Sequence, residues 1–544
     1  MKKSVKAMNK PDIIVINPDQ MRADSLRHLG NLASYTPNLD TLADEGVSFS
    51  NAFCQNPVCV PSRCSFMTGT YPHTNGHRTM SYLLRQGEDN LYRILKNSGY
   101  YVWTSGRGDC LAGQQTKWLK ECTDKIYNKC GKNAKDEGRG QKGDKRYLSF
   151  YRGEITNVEA DGMCHDNDWV WTKGCEGLIR KAKPDEPIFA FLGLNNPHPP
   201  YHAEKRFLDL IDESKIPPAK APSKPDDKKP SMQYELCDAL GIGDWDTDTI
   251  TALRKTYLAQ CARIDELTGR IIQALKDTGR YDNAAIFFFS DHGDFTADYG
   301  IPEKAQNLFD DCLVNVPLIV KLPKYMQTDS GINDNPVELI DFFATVLDIT
   351  KTDASYTHFG RSLRETIADK TVSVRDFVCS EGGRLQNEKH CTEEVENYFG
   401  VVADEYAPRI GIQQKNNGQH TKAVMIRTKE YKYVMRLYET DEFYDLSKGE
   451  ETNEIDDPDY ANIIADMRSK LLEWLFETAD SVPKDKDARF PDDFYLGTVN
   501  AMAGFKVSPL IKGVMRLTRN DFSSLVNKAI KLLRIDTNGF YNKK

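Results

Sequence analysis

Asp19-Gln20 and Asp291-His292 each follow a short apolar run, and together they offer carboxylate, amide and imidazole donors that suit a divalent cation. A cation at the meeting point of the two pairs would lower the pKa of an oxygen bound to it and so create a nucleophile at neutral pH. A single Asp of this kind is commonly a turn or cap residue, so the reading rests on the repetition, two polar pairs that each end a buried strand. Cys59-Val60-Pro61-Ser62-Arg63 is followed, after four residues, by Thr68-Gly69. Taken alone, Cys59 reads as a buried thiol in a proline-containing turn. Cys54, Cys59 and Cys64 recur every five residues, which is not the close paired spacing of a zinc site.

Three cationic or titratable groups complete the set. Arg107 lies in Gly106-Arg107-Gly108-Asp109, His198 in Pro197-His198-Pro199, and Lys304 in Gly300-Ile301-Pro302-Glu303-Lys304. An arginine can grip two oxygens of an anion, and an imidazole with a pKa near neutrality can hand a proton to a departing oxygen. The Cys-x-Pro-Ser-Arg pattern with its Thr-Gly resembles the signature of the type I, formylglycine-dependent sulfatases, in the alkaline-phosphatase-like superfamily. That resemblance implies that Cys59 is oxidised to formylglycine by a maturation enzyme and hydrated. One hydroxyl of the diol then attacks sulfur from the metal, and the other expels sulfate. It implies Asp19, Gln20, Asp291, His292 and residue 59 as ligands of one divalent cation, calcium as the first choice with manganese or magnesium as alternatives. It further implies that Arg63 holds the formylglycine loop, that Lys304 and Arg107 bind sulfate, and that His198, with Lys304, stands at the leaving-group oxygen. Many sulfatases have a second Asp at position 20 and Asn at 292. The Gln and His of this chain look more like the choline-sulfatase and phosphonate-monoester-hydrolase branches. Asp109 stands where many sulfatases have a histidine, which takes sulfate binding away from that position. Asn75, His77 and Arg78 belong to a loop expected to rim the pocket.

The elements that must position these residues read as alternating strands and helices. Residues 12–17, 100–104, 187–194, 284–289 and 316–322 are apolar, strand-like runs, and 38–46, 91–98 and 337–347 have helical spacing. Buried strands alternating with helices predict an α/β fold with a large, mostly parallel central sheet, and such sheets bind ligands at the carboxyl ends of their strands. Residues 215–229, rich in Pro, Lys and Asp, read as a surface excursion. From about residue 376 shorter alternating strands, 422–427 and 431–438, precede an amphipathic helix over 463–478 with Ile464, Met467, Leu471, Leu472 and Leu475 on one face. The expected division is a catalytic domain over 1–370, an α+β subdomain over 371–480 and an extension over 481–544.

Composition bounds the function classes. A chain of 544 residues with 40% hydrophobic and 28% charged residues is an ordinary globular protein, and a formal charge of −8 without a long basic run disfavours nucleic acid as a partner. No stretch reaches the roughly 20 apolar residues of a membrane span. Thirteen scattered cysteines and an N-terminus without an apolar stretch of signal-peptide length lead to the expectation of a cytoplasmic chain with free thiols. Within these bounds, the resemblance implies a sulfatase acting on an aryl, alkyl or saccharide sulfate. A phosphonate monoester or phosphodiester hydrolase is the rival within hydrolases. A binding protein on a dead scaffold is the rival outside them, opposed by the retention of Cys59, Asp19, Asp291, His198 and Lys304.

Overall fold

A computed structural model describes residues 10–108, 110–113, 116–144, 146–393, 404–415, 418 and 420–484. The chain divides into two units, 1–354 with 358–481, and 355–357 with 482–544. The central sheet of the first contains β1 (Asp12–Asp19), β2 (Val47–Phe49), β3 (Tyr101–Ser105), β4 (Lys125–Tyr127), β5 (Ile188–Pro197), β6 (Ala284–Phe289), β7 (Leu318–Lys321) and β8 (Gly331–Asn333). The order across the sheet is β8-β2-β7-β6-β1-β5-β3-β4. All neighbours are parallel except β7, which runs against both β2 and β6.

β1 and β6 are buried along their whole length, which is why DIIVINPD and AAIFFF read as continuous apolar runs and not as alternating ones. Helices α1 (Pro37–Glu45), α2 (Cys59–Thr68), α3 (Asn167–Lys181), α4 (Thr247–Asp277) and α5 (Ile340–Thr350) cover the sheet. Ile14, Ile16, Ala190, Leu192, Ile286 and Phe288 pack into one core with α1, α3 and α4. The other face is aromatic: Phe66 of α2 lies 6.2 Å from Phe191 and 5.0 Å from Phe289, and Phe342 of α5 lies 5.0 Å from Phe287. Asp265 of α4 accepts from the backbone of Asn38 and Leu39 and so caps α1 from outside.

A four-stranded antiparallel sheet forms the small C-terminal part, from β9 (Val378–Gly382), β10 (Ala423–Arg427), β11 (Tyr431–Arg436) and β12 (Glu442–Asp445). Helix α6 (Ala407–Gln414) precedes β10, and α7 (Ala461–Glu477) packs Ile464, Met467, Leu471 and Trp474 on this sheet. Two expectations are corrected. Leu472 is 65% exposed, because it stands about 100° round the helix from Leu471 and both cannot enter one narrow stripe. The apolar run at 337–347 is not helical throughout: Val337–Glu338 pairs as a strand with Ala52–Phe53, and α5 begins only at Ile340. Among the described residues no helix is long and apolar enough to cross a membrane.

Candidate active site

Asp19 is the last residue of β1, and Asp291 and His292 follow β6, its parallel neighbour, so the two polar pairs emerge side by side. Cys59 reaches the same point as the first residue of α2, after an extended Val58. Ligand atoms of Asp19, Cys59, Asp291 and His292 all lie within 4.8 Å of one another, and all four residues are buried. The thiol is 3.2 Å from His292 Nε2 and 3.6 Å from Asp19 Oδ1. The start of a helix favours negative charge, so α2 suits an anion at residue 59.

The rest of the signature builds this placement. Pro61 sits in the first turn, where its missing N–H is not needed. Ser62 Oγ donates to the Asp291 carbonyl at 2.6 Å. Arg63, fully buried, donates through Nε to Asp291 Oδ2 at 2.8 Å, through Nη2 to Asp19 Oδ2 at 3.1 Å and through Nη1 to the Arg107 carbonyl at 2.8 Å. Thr68 returns its hydroxyl to the Cys64 carbonyl at 2.8 Å. Gly69 ends the helix at φ +69°, where a Cβ would come within 2.6 Å of Phe343.

The donor set fits a divalent cation. His292 Nδ1 is 2.9 Å from the Gly293 carbonyl, which places the proton on Nδ1 and leaves the Nε2 lone pair facing Cys59 and the two carboxylates. Burial lowers the His292 pKa, so the imidazole is neutral, as a ligand must be. Burial opposes ionisation of Asp19, but Arg107 and Arg63 outweigh it and hold the carboxyl well below the usual range. Gln20 takes a neighbouring position: its backbone N–H donates to Asp291 Oδ1 at 3.1 Å, and its side chain donates to Asp294 at 2.6 Å and accepts from Lys304 Nζ at 2.7 Å. Its amide oxygen keeps a second lone pair.

Cations ring the anion side. Arg107 donates to Asp19 Oδ2 through Nε at 3.0 Å and Nη2 at 2.8 Å and keeps 24% of its side chain exposed. Its loop passes over β5 at Gly193, where a Cβ would sit 2.4 Å from the Arg107 carbonyl. Burial works against the Lys304 charge, but the carboxylates of Glu303 and Asp19 raise its pKa and keep it an ammonium. His198 departs from the expectation of a near-neutral pKa: burial, then Lys304, push it down to about 3. Its Nδ1 is 2.7 Å from the Pro199 carbonyl and its Nε2 lies 4.0 Å from Glu303. Burial and Asp19 push the Cys59 thiol up, so it stays protonated at neutral pH.

The signature loop's neighbours serve other contacts. His77 Nδ1 faces the Tyr82 carbonyl at 2.9 Å, Arg78 pairs with Glu388 at 2.6 Å and Asn75 reaches Thr70 at 3.4 Å. Asp109 and residues 485–544 lie outside the described residues. Sequence reasoning passed over Asp294, which accepts from Tyr201 Oη at 2.8 Å and which burial pushes up to about 6. It passed over Glu303 and Arg409 as well. Arg409, in α6, pairs with Glu303 and with Glu393. Adjacency to a named residue was the only available signal for Asp294 and Glu303, and for Arg409 there was none.

The chain is 24% identical to an arylsulfatase of Clostridium perfringens over 415 residues, 70% of this chain and 83% of that one. It is 24% identical to a choline-sulfatase of Rhizobium meliloti over 499 residues, 88% and 90% of the two chains. Its fold matches the crystal structure of a phosphonate monoester hydrolase of Agrobacterium radiobacter with a TM-score of 0.66 at 20% identity, covering 86% of this chain and 96% of that one. The sequence model of the sulfatase family matches residues 11–352, the span that carries β1 to β8 and every residue of the buried cluster. The chain therefore belongs to the sulfatase family, and it is a sulfuric ester hydrolase.

Proposed function

We propose that the chain hydrolyses a sulfate monoester of an aryl, alkyl or saccharide alcohol, with Cys59, oxidised to formylglycine, as the source of the nucleophile. The observation that carries this is the position of Cys59: a thiol 1% exposed, held protonated, at the start of α2 and among Asp19, Asp291 and His292. A protonated thiol is a weak nucleophile, and its signature is the one the family's maturation reads. A bound divalent cation, for which calcium is the first choice, supplies Lewis acidity to the hydrated aldehyde at residue 59.

The chain's own residues do the rest. Asp19, Asp291, His292 and Gln20 present the ligand atoms, and Arg63 fixes both carboxylates in orientation. Arg107 and Lys304 hold the oxygens that stay on sulfur, and their charge is screened less here than in water because the residues of the floor are buried. His198 faces the leaving oxygen. The incoming sulfate and Glu303, 4.0 Å from Nε2, both favour the imidazolium that can donate the proton as the sulfur–oxygen bond breaks. Lys304, already protonated, is the alternative donor.

A second reading, hydrolysis of a phosphonate monoester or phosphodiester, is favoured by Gln20 and His292 and by the fold match. Peptide mass analysis of the active enzyme tests the first: an aldehyde or its hydrate at residue 59 is expected, and full turnover with only thiol there refutes it. Cys59→Ala is expected to abolish turnover with the fold intact. Rates on an aryl sulfate and an aryl phosphonate monoester then separate the two readings.

A further inference from the structure

Glu303 combines two unfavourable features. Its φ is +68°, a left-handed conformation unfavourable for a non-glycine residue, and its carboxylate is almost completely buried. Specific contacts hold both in place. The backbone N–H donates to Tyr201 Oη at 2.8 Å, and one carboxylate oxygen pairs with Arg409 Nη1. The other accepts from Lys304 Nζ at 2.6 Å and faces His198 Nε2 at 4.0 Å.

The neighbouring charges show where the effect of Glu303 falls. Arg107 is matched by Asp19, Arg63 by Asp19 and Asp291, and Arg409 by Glu393 at 2.8 Å. Lys304 has no other carboxylate at ion-pair distance among the described residues, its second partner being the neutral amide of Gln20. Without Glu303 the full ammonium charge of Lys304 would face a bound anion, and with it that charge is largely offset.

We propose that Glu303 is a specificity-determining residue that sets the charge of the ester the pocket accepts, favouring a singly charged sulfate or phosphonate monoester over the doubly charged phosphate monoester. This rests on the reading of the pocket as an ester-hydrolase anion site. Arg409 is the positioning residue that aims Glu303, so the C-terminal part of the chain reaches into substrate selection.

Calorimetric titration of cation-loaded Cys59→Ala protein at pH 8 tests this without turnover. Methyl sulfate and methyl methylphosphonate are monoanions, whereas methyl phosphate, with a second pKa of about 6, is a dianion. Protein with Glu303 is expected to bind the two monoanions alike and the dianion more weakly. Adding Glu303→Gln is expected to shift the ratio toward the dianion by roughly tenfold or more, the scale of one unit charge acting across a few ångströms of protein. Glu303→Asp, which keeps the charge, is expected to keep the preference. Tighter binding of the dianion by protein with Glu303, or an equal shift in Glu303→Asp and Glu303→Gln, overturns the proposal. The first of these is measured even if Glu303→Gln does not fold. The hydrolase reading fails separately, on the residue 59 peptide and on turnover.

Discussion

Arg63→Ala removes a buried guanidinium that donates three hydrogen bonds, two of them to the carboxylates of Asp291 and Asp19. Without it two buried acids face each other, and Arg107 pairs with Asp19 but not with Asp291. Removing one member of a buried ion pair typically costs about 3–5 kcal/mol, mostly because the other charge is left unpaired. At roughly 1 °C per kcal/mol for a chain of 544 residues, the thermal midpoint should fall by about 3–5 °C in the presence of a chelator. A divalent cation held by the same carboxylates would restore their compensation, so saturating calcium should recover much of that loss. The rise in midpoint on adding the cation should then be larger for Arg63→Ala than for the unmutated chain. Differential scanning fluorimetry with chelator and with calcium reads all four values. An equal cation effect in both proteins, or none in either, refutes the assignment of Asp19 and Asp291 as partners of both Arg63 and the metal.

If His198 protonates the leaving oxygen, His198→Ala should slow esters of weakly acidic alcohols most, steepening the plot of rate against leaving-group pKa, while Arg107→Ala should lower all rates alike; an unchanged slope in His198→Ala passes the role to Lys304. Gly193→Ala should push the Arg107 loop off β5, since its Cβ would meet the Arg107 carbonyl at 2.4 Å. An overpacking penalty of about 1–3 kcal/mol predicts roughly a tenfold or greater fall in kcat/KM for every ester, and a fall confined to one leaving-group class would contradict it. Burial lifts the Asp265 carboxyl from 3.8 to about 6. A folded pKa above the unfolded one means that this group's stability is complete below pH 4 and is lost as pH rises through 6, about 3 kcal/mol in all. Asp265→Asn has no such loss, so its urea midpoint should gain on the unmutated chain between pH 4 and 7, and parallel pH profiles would refute the shift.

Asp19 and Asp291 were legible in the sequence because each ends a run that is apolar on both faces, and such runs are strands of a covered parallel sheet whose ends share one edge. Cys59 was legible because its Pro61, Ser62, Arg63, Thr68 and Gly69 resemble the family signature at set offsets; Pro61, Thr68 and Gly69 serve α2 and its cap, whereas Ser62 and Arg63 reach Asp291 and Asp19. Glu303 and Arg409 were not. Their pairing joins residues 106 apart, and α6 lies in a stretch read as short alternating strands. The depressed pKa of His198 was equally out of reach, because it depends on burial and on Lys304, which only the folded chain brings near. The reversed direction of β7 leaves no mark in its composition, since Leu318–Lys321 is as buried as β2 and β6 beside it.

Cys59 and His292 touch in the folded chain, yet 233 residues separate them in sequence. Synthesis at about 5–20 residues per second puts roughly 12–47 s between the appearance of the two. Throughout that interval β6 and its Asp291-His292 end do not exist, so nothing can bury the thiol against them. If Cys59 is oxidised as proposed, an enzyme acting on the open chain would have that interval in which to work. Once β6 docks beside β1 the cysteine is 1% exposed and out of reach. On the proposed reading the fraction of active molecules would be decided by a race between oxidation and folding, and slower elongation upstream of β6 would raise it without any change in the folded protein.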